Sequence, residues 1–286
     1  MALAATFSAS AQQKYTVSIK NNLKSALNDV PATLDLRELK DVKSATVIVD
    51  GKEIPYQIDD LDGNGTNDEL CFLVDLEGKQ TKTATITLSD KADAKQWKAR
   101  TFAEMVLRNP KVKEKNKHDI YLSSITIDKR TTNPYNVLHH HGVAFESELI
   151  AMRIYMDKRQ TIDLYGKFHK GLELEQTQFY TSKEQKAQGY GDDVLWVGNT
   201  FGLGAFRGWN GTEPTMLEDV AHRTQRILTT GPLRTIVEVE DNQWTITPGA
   251  EPVNATIRYT LYAGHRDFDV DVTFNKEFYA YDFSTG

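Results

Sequence analysis

Residues 145–167 read FESELIAMRIYMDKRQTIDLYGK, and this stretch decides the class of the fold. Apolar residues alternate with more polar ones over positions 152–156, and the alternation resumes over positions 162–165. Because successive side chains of a strand point to opposite faces, the pattern predicts two strands that are each apolar on one face. The short polar turn at 158–160 predicts that the two strands pair in an antiparallel manner.

Similar β-rich runs extend the pattern towards both ends of the chain. They lie at 15–19, 45–49, 70–75 and 83–88, and then at 121–127, 145–155, 161–167, 194–199, 235–240, 257–263 and 268–274. Strands at this spacing predict a mainly β protein, in which a small N-terminal β-sandwich is followed by a large antiparallel β-supersandwich.

Two stretches predict helices. Between residues 90 and 107, apolar residues at helical spacings lie among good helix formers, and a charged linker follows. A brief helix at 183–187 follows Ser182, and Gln185 is placed to close a capping box with that serine. The predicted organisation is a leader at 1–11, a small β domain at 12–90, a helix and linker at 91–118, and a large β-sandwich at 119–286.

The composition limits the classes of partner. The 286 residues include 34 Lys and Arg against 40 Asp and Glu, a formal charge of −6. This balance lacks the basic footprint of a nucleic-acid binder, so we expect no nucleic-acid partner. The single cysteine, Cys71, excludes an internal disulfide. No run approaches the ~20 apolar residues that a membrane helix needs, so we expect no membrane span.

The two chain ends carry predictions about location and extent. Residues 1–11 are small and apolar and end in Ala-Ser-Ala, which matches the rule for signal-peptidase cleavage. We therefore expect a secreted or periplasmic protein, the alternative being a disordered alanine-rich leader. The chain stops directly behind strand-like sequence, which predicts a β-sandwich that is incomplete at its C-terminus.

An acidic loop at 59–69, DDLDGNGTNDE, is typical of calcium sites. Hard oxygen ligands at alternating positions suit calcium, and Gly65 permits the sharp turn that such a loop needs. We expect a structural calcium ion, and no organic cofactor; the alternative is a metal-free hairpin, since the same residues are common in turns. The expected ligands are Asp60, Asp62, Asn64, Thr66 (through its carbonyl) and Asp68.

The densest cluster of chemically useful side chains lies between residues 139 and 193. Cations, aromatic hydroxyls and imidazoles gather there without a matching surplus of acids, which suits an anionic substrate. The alternative is the ordinary wet face of an antiparallel sheet, and we assign Asp157, Arg159 and Lys170 to that category. The candidate catalytic residues are His139, His140, His141, Glu146, Glu148, Arg153, Tyr165 and Lys167.

A glycine-rich and aromatic segment at 189–211 adds candidates for substrate binding. Sugar rings present apolar faces and polar rims, so aromatics interleaved with Asp, Asn and Arg suit carbohydrate. The alternative is core aromatics with glycine bulges, and for the turn at 262–268 a structural histidine. The candidate binding residues are Asp192, Trp196, Asn199, Arg207, Trp209, His265 and Arg266.

Four sequence words carry a resemblance to a known family: YQIDDLDGNG at 56–65, HHGVAFESE at 140–148, RQTIDLYGK at 159–167 and YAGHRDF at 262–268. With them the chain resembles a secreted Bacteroidetes family catalogued as a domain of unknown function and found near polysaccharide-utilisation genes. The resemblance implies export, a Bacteroidetes-like origin, a carbohydrate context and a missing C-terminal stretch. The long strands also resemble the supersandwich of galactose-mutarotase-like proteins and polysaccharide lyases, an analogy of fold only.

These observations favour an enzyme that acts on acidic oligo- or polysaccharides by β-elimination. Tyr165 or a histidine from 139–141 would remove the proton α to a uronate carboxylate, which Arg153 and Lys167 would neutralise. One alternative is a glycoside hydrolase that uses Glu146 and Glu148. The other is a non-catalytic glycan-binding protein whose affinity comes from residues 189–211. In each case we expect a glycan ligand or substrate.

Overall fold

A computed structural model defines the fold and describes residues 13–39, 41–277 and 281–286. The chain divides between Lys98 and Ala99 into two compact units, each built from antiparallel sheets. The mainly β class expected from the sequence is confirmed. The predicted leader at 1–11 lies outside the described residues. No helix in the described part of the chain is long and apolar enough to cross a membrane.

The N-terminal unit contains two sheets. Its described strands are β1 (Gln13–Lys20), β2 (Leu27–Asp35), β3 (Ser44–Val49), β4 (Lys52–Ile54), β5 (Tyr56–Asp59), β6 (Glu69–Leu76) and β7 (Thr81–Ser89). They pair in the orders β1-β7-β3-β4 and β2-β6-β5. Alternate residues of the inner strands are fully buried, among them Val47, Ile86 and Phe72, and they form the apolar core of this unit.

The C-terminal unit carries the longer strands and the short helices α1 (Leu174–Thr177) and α2 (Lys183–Ala187). Its described strands are β8 (Thr101–Glu104), β9 (Val106–Leu107), β10 (Ile120–Tyr121), β11 (Ser124–Asp128), β12 (Gly142–Ser147), β13 (Ile150–Tyr155), β14 (Ile162–Gly166), β15 (Asp192–Asp193), β16 (Arg207–Trp209), β17 (Pro214–Thr215), β18 (His222–Thr230), β19 (Arg234–Trp244), β20 (Val253–Tyr262), β21 (Asp269–Phe274) and β22 (Asp282–Ser284).

Two five-stranded sheets form the body of this unit. The front sheet has the order β15-β14-β13-β12-β8, and the back sheet has the order β11-β18-β19-β20-β21. They share one apolar core, in which Phe145 and Met152 of the front sheet meet Val239 and Tyr259 of the back sheet. The opposite face of the front sheet is therefore the one on which polar side chains can gather.

The hairpin predicted from residues 145–167 is confirmed in its main feature. β13 and β14 pair in an antiparallel manner, with Met152 opposite Leu164 and Arg153 opposite Asp163. The predicted single strand at 145–155 is wrong, because β12 ends at Ser147 and β13 begins at Ile150. A tight turn thus converts one apolar run into two neighbouring strands.

Two other local predictions are wrong. Residues 90–107 do not form a helix, because Thr101–Glu104 pairs with β12 as an edge strand and buries Ala103. Sheet pairing and burial outweigh a local helical pattern here. Residues 194–199 do not form a strand, and they leave Val194 exposed instead. The capping box of the helix at 183–187 is confirmed by reciprocal Ser182–Gln185 hydrogen bonds.

Candidate functional site

A cavity of about 650 Å³, which we call the front cavity, opens on the polar face of the front sheet. The strands β13 and β14 supply its floor, and residues 192–198 supply one side. Its lining side chains that can take part in chemistry are Tyr135, His141, Arg153, Tyr155, Arg159, Asp163, Tyr180, Asp192, Asp193 and Trp196.

The floor of the cavity is a buried ion pair. Arg153 and Asp163 are partners in the β13–β14 register, and the Arg153 Nε lies 3.0 Å from Asp163 Oδ2. The Tyr155 hydroxyl donates to the same carboxylate oxygen at 2.9 Å. Asp193 of β15 accepts a second bond from Arg153 at 3.0 Å. The guanidinium is thereby fixed in one orientation beneath the cavity.

A chain of hydrogen bonds leads from this guanidinium to an imidazole. Arg153 Nη1 donates to the Tyr180 hydroxyl oxygen at 3.1 Å, and this hydroxyl lies 2.9 Å from His141 Nε2. The other ring nitrogen of His141 lies 2.8 Å from the main-chain carbonyl of Tyr135. Because a carbonyl can only accept, Nδ1 carries the ring proton and Nε2 accepts from Tyr180.

The electrostatics of this hydrogen-bonded series favour a neutral His141. Burial lowers the pKa of His141 to about 4, and the nearby Arg153 adds to the lowering, although the Tyr135 carbonyl opposes it. Burial raises the pKa of Tyr180, and the Arg153 charge and hydrogen bond oppose that rise. Arg153 is thus placed to stabilise negative charge on the Tyr180 oxygen whenever His141 takes its proton.

His141 is also strained. Its φ is 75°, in the left-handed region that non-glycine residues rarely adopt. The ring lies flat on Tyr135, with centroids 3.6 Å apart and planes 9° apart, and this stacking and the Tyr180 bond hold the residue there. Such backbone outliers concentrate at functional sites.

The mouth of the cavity is aromatic. Trp196 is 98% exposed, and it lines the cavity beside Val194. The Arg159 guanidinium lies 4.7 Å from the ring centroid of Tyr135 and 4.8 Å from that of Tyr155, and it donates to the Gly198 carbonyl at 3.1 Å. An unpacked tryptophan beside polar groups offers a flat apolar face to a ring-shaped polar ligand.

The other two histidines of the His139–141 run do not line the front cavity. His139 stacks on His118 with centroids 3.9 Å apart, at a second cavity. His140 is fully buried, and its Nε2 lies 3.3 Å from Glu104. Burial lowers the pKa of His140 to about 3 and raises the pKa of Glu104 to about 8. The contact therefore joins two neutral groups rather than an ion pair.

Four of the predicted catalytic residues lie in a separate polar network. Lys167 forms a buried ion pair with Glu146, and the Tyr165 hydroxyl, which has no solvent exposure, donates to Glu173 at 2.8 Å. Glu148 binds Arg100. None of the four lines the front cavity. This placement argues against a direct role for them in catalysis.

The expectation of cations without matching acids is also wrong. Arg153 binds Asp163 and Asp193, and Lys167 binds Glu146. The alternation of β13 and β14 could have identified Asp163 as the partner of Arg153, whereas only the fold brings Asp193 to Arg153 and Glu146 to Lys167.

Some of the predicted binding residues line the front cavity and others do not. Asp192 and Trp196 line the front cavity, as expected. Arg207 is buried and donates to the carbonyls of Asn199 and Thr200, so it fixes the loop behind the cavity. The remaining predicted residues lie away from the cavity lining: Asn199 in that loop, Trp209 on β16, and His265 and Arg266 in the turn between β20 and β21.

Sequence reasoning missed several cavity residues. Tyr135 lies in a single-turn 3-10 helix (Pro134–Asn136) and Tyr180 in an irregular segment, and neither stretch is long enough for a periodic pattern to mark a face. Arg159 was assigned to ordinary sheet surface, yet it lines the cavity. Asp163 was visible in the alternation of β14, and its register with Arg153 is the signal that could have identified it.

The acidic loop lies in the N-terminal unit between β5 and β6. Carboxylate oxygens of Asp60, Asp62 and Asp68 all lie within 4.8 Å of one another, so these three residues could hold a cation. Asp60 also accepts main-chain hydrogen bonds from Gly65 and Gly63, and these bonds lower its pKa. The side chain of Asn64 bonds within the loop, and so does the main-chain nitrogen of Thr66.

Comparison with known proteins identifies the family. A family model described as "Domain of unknown function (DUF4861)" matches residues 19–286. The chain therefore belongs to this family, and the matched range includes residues of both units. A search of curated proteins finds no match.

Proposed function

We propose that this DUF4861 protein is a carbohydrate-active enzyme that cleaves acidic oligo- or polysaccharides by β-elimination in the front cavity. The observation that carries the proposal is the hydrogen-bonded series Arg153–Tyr180–His141 lining a cavity with an exposed tryptophan. A tyrosine between a neutral imidazole and a fixed guanidinium is suited to moving a proton.

The elimination would proceed through Tyr180. Tyr180 passes its proton to His141 Nε2 while its oxygen takes the proton α to the uronate carboxylate, and Arg153 stabilises the negative charge on that oxygen during the transfer. The two transfers are concerted, because the low pKa of His141 and the raised pKa of Tyr180 disfavour a free phenolate beside an imidazolium. The bond between the β carbon and the glycosidic oxygen breaks, and a carbon–carbon double bond forms. Tyr180 then gives the proton to the leaving oxygen, and His141 returns its own proton to Tyr180. The enzyme ends in its starting protonation state.

Substrate binding would use the mouth of the cavity. Trp196 would stack on the apolar face of a sugar ring, while Asp192 and Arg159 would bond its hydroxyl groups. The cavity volume of about 650 Å³ lies in the ordinary range of small-ligand pockets and leaves room for a short oligosaccharide.

The direct experiment is a panel of uronate-containing and neutral polysaccharides incubated with the purified protein. Product formation is read both by the ultraviolet absorbance of unsaturated sugars and by released reducing ends. We expect both signals from at least one uronate polymer. Reducing ends without absorbance would replace β-elimination by hydrolysis, and silence in both would contradict an enzymatic role.

A non-catalytic glycan-binding protein is the second candidate, and the exposure of Trp196 favours it. Binding alone would need the tryptophan and the polar rim but not the His141–Tyr180 pair. Glycan affinity that survives loss of either His141 or Tyr180, in a protein without activity on the panel, would support this candidate. The hydrolase alternative based on Glu146 and Glu148 finds no support in their buried, paired positions.

We further propose that the acidic loop binds a structural calcium ion, because three carboxylates converge in it. We also propose export to the periplasm or exterior in a Bacteroidetes-like polysaccharide-utilisation context. Export is supported by the composition of residues 1–11, and the context by the sequence words that resemble such proteins.

A further inference from the structure

A second cavity of about 490 Å³ adjoins the front cavity, and we call it the basic cavity. His141 and Tyr180 line both cavities, so the proposed proton-transfer pair forms the boundary between them. Arg108, Lys113 and Lys115 line the basic cavity, and its described lining contains no carboxylate. Two acids of this segment, Glu114 and Asp119, lie outside that lining, and Asp119 accepts a hydrogen bond from the Asn109 side chain.

The wall of the basic cavity contains an unpartnered imidazole nitrogen. His139 is only 8% exposed, and its Nε2 has no hydrogen-bond partner among the described residues. Its ring is held between two neighbours, stacked on His118 and edge-on to Tyr180. Burial and the adjacent histidines lower the pKa of His139 to about 3, although a hydrogen bond to the Lys115 main chain opposes the lowering, so the ring is neutral. A buried nitrogen of this kind gains stability from a ligand that bonds it.

The charges of the two cavities differ. The front cavity is lined by two guanidiniums, Arg153 and Arg159, against the three carboxylates of Asp163, Asp192 and Asp193. It therefore has no surplus positive charge with which to attract an anion. The basic cavity has three cations and no acid in its described lining, and its Lys115 Nζ lies 4.9 Å from the centroid of the Tyr180 ring.

We propose that the basic cavity is an oxyanion subsite that binds a carboxylate or sulfate group of an acidic saccharide. Lys113, Lys115 and Arg108 supply the charge, and His139, in the tautomer that carries its ring proton on Nε2, donates a directed hydrogen bond to one oxygen. The saccharide as ligand rests on the proposed function, whereas oxyanion binding itself does not. The acidic group would thus be held on one side of Tyr180 while the sugar ring reaches the front cavity on the other.

The first test uses inorganic sulfate, which requires no catalysis. The full chain is labelled with ¹⁵N-histidine, the ring resonance of His139 is assigned by its loss in His139→Gln, and sulfate is titrated. We expect a saturable shift of the His139 Nε2 resonance. We also expect that the double substitution Lys113→Ala/Lys115→Ala weakens sulfate binding at least 10-fold. The matched control is Lys111→Ala/Lys117→Ala, since these exposed lysines of the same segment do not line the cavity. Absence of the shift, or equal weakening by both double substitutions, would overturn the subsite.

The second test separates this inference from the proposed function. A uronate oligomer that the enzyme cleaves should show a kcat/KM lowered at least 10-fold by Lys113→Ala/Lys115→Ala, because these lysines hold the acidic group and Lys115 lies 4.9 Å from the centroid of the Tyr180 ring. The control Lys111→Ala/Lys117→Ala should keep kcat/KM within 3-fold of wild type, and equal kcat/KM for the two double variants would overturn the assignment of the subsite to the substrate. A protein that binds sulfate at His139 but cleaves nothing would retain the oxyanion subsite and overturn only the proposed reaction.

Discussion

The Tyr180 hydroxyl lies 2.9 Å from Nε2 of His141, at the boundary of two cavities of opposite electrostatic character. The same hydroxyl oxygen accepts a hydrogen bond from the buried guanidinium of Arg153 at 3.1 Å. This arrangement gives one oxygen atom both a base that can take its proton and a cation that can stabilise its charge. The proposed chemistry follows from these two contacts.

Trp196 is expected to contribute to glycan affinity and not to folding. Its side chain is 98% exposed, so Trp196→Ala removes almost no packing. Loss of a stacking face should weaken glycan binding by about 1–3 kcal/mol, or roughly 5- to 150-fold, while the melting temperature stays unchanged. Calorimetric titration with the best glycan of the panel measures the effect. Phe168→Ala is the control, because Phe168 is 77% exposed and does not line the front cavity. Equal affinity for wild type and Trp196→Ala would show that Trp196 does not contribute to glycan binding.

Arg153 is expected to be essential for stability as well as for the site. Arg153→Ala leaves the buried carboxylate of Asp163 without its partner, which should cost about 3–5 kcal/mol in the free energy of unfolding. Urea unfolding measures this loss. Arg130→Ala serves as the control, because Arg130 pairs with Asp128 at the surface and its loss should have little effect. A small loss in Arg153→Ala would show that solvent reaches Asp163 and compensates its charge.

Glu104 is expected to give the protein a distinct dependence of stability on pH. Burial raises the pKa of this carboxyl to about 8 in the folded state, against an unfolded value near 4.3. The folded state then binds the extra proton between these values, so this contribution is full below about pH 4.3 and is lost as the pH rises to about 8. Glu104→Gln keeps the shape of the neutral carboxyl and removes the titration.

We therefore expect wild type to lose stability relative to Glu104→Gln by more than ~2 kcal/mol between pH 5 and pH 8. The histidines act in the opposite direction. Burial lowers the pKa of His140 to about 3 and that of His141 to about 4, so their contribution is full above roughly pH 6.5 and falls as the pH drops towards 4. Urea unfolding of both proteins across this range measures the difference. A constant difference between the two proteins would contradict a protonated Glu104 in the folded state.

Calcium is expected to stabilise the N-terminal unit. If Asp60, Asp62 and Asp68 bind the ion, a chelator should lower the melting temperature and added calcium should restore it. Asp62→Asn should abolish that calcium dependence. Asp90→Asn, which removes an exposed carboxylate outside the loop, should leave it intact. If the chelator leaves the melting temperature of wild type unchanged, the proposal of a structural calcium ion is contradicted, and the loop is a hydrogen-bonded turn.

The sequence predicted the sheets well where a period of two marks a buried face. β13 and β14 alternate cleanly, and their register follows once Met152 and Leu164 share the core face. The helix prediction for residues 90–107 is wrong because β8 pairs with β12 as an edge strand. No local sequence pattern encodes this long-range pairing. Long-range pairing and burial decided the structure at this point.

The site was predicted only in part, and Tyr165 shows why. Alternation correctly puts Tyr165 on the polar face of β14, where a catalytic tyrosine would be expected. Leu174 and Phe179 pack on that face and bury Tyr165 completely. The same segment carries Tyr180 to the front cavity. The segment that covers Tyr165 thus places Tyr180, and not Tyr165, at the front cavity. The path of this segment depends on tertiary contacts rather than on local sequence.

The measurement that tests the central claim most directly is the rate of unsaturated-sugar formation by wild type and Tyr180→Phe on the uronate polymer that the panel identifies. Removing one hydroxyl oxygen should lower kcat by roughly 10²- to 10⁴-fold in a protein that remains folded, because the proton carrier is lost while the ring remains. Tyr190→Phe, which alters a tyrosine outside the cavity lining, should retain wild-type activity. Equal rates for Tyr180→Phe and wild type would contradict a reaction that proceeds through the Tyr180–His141 pair.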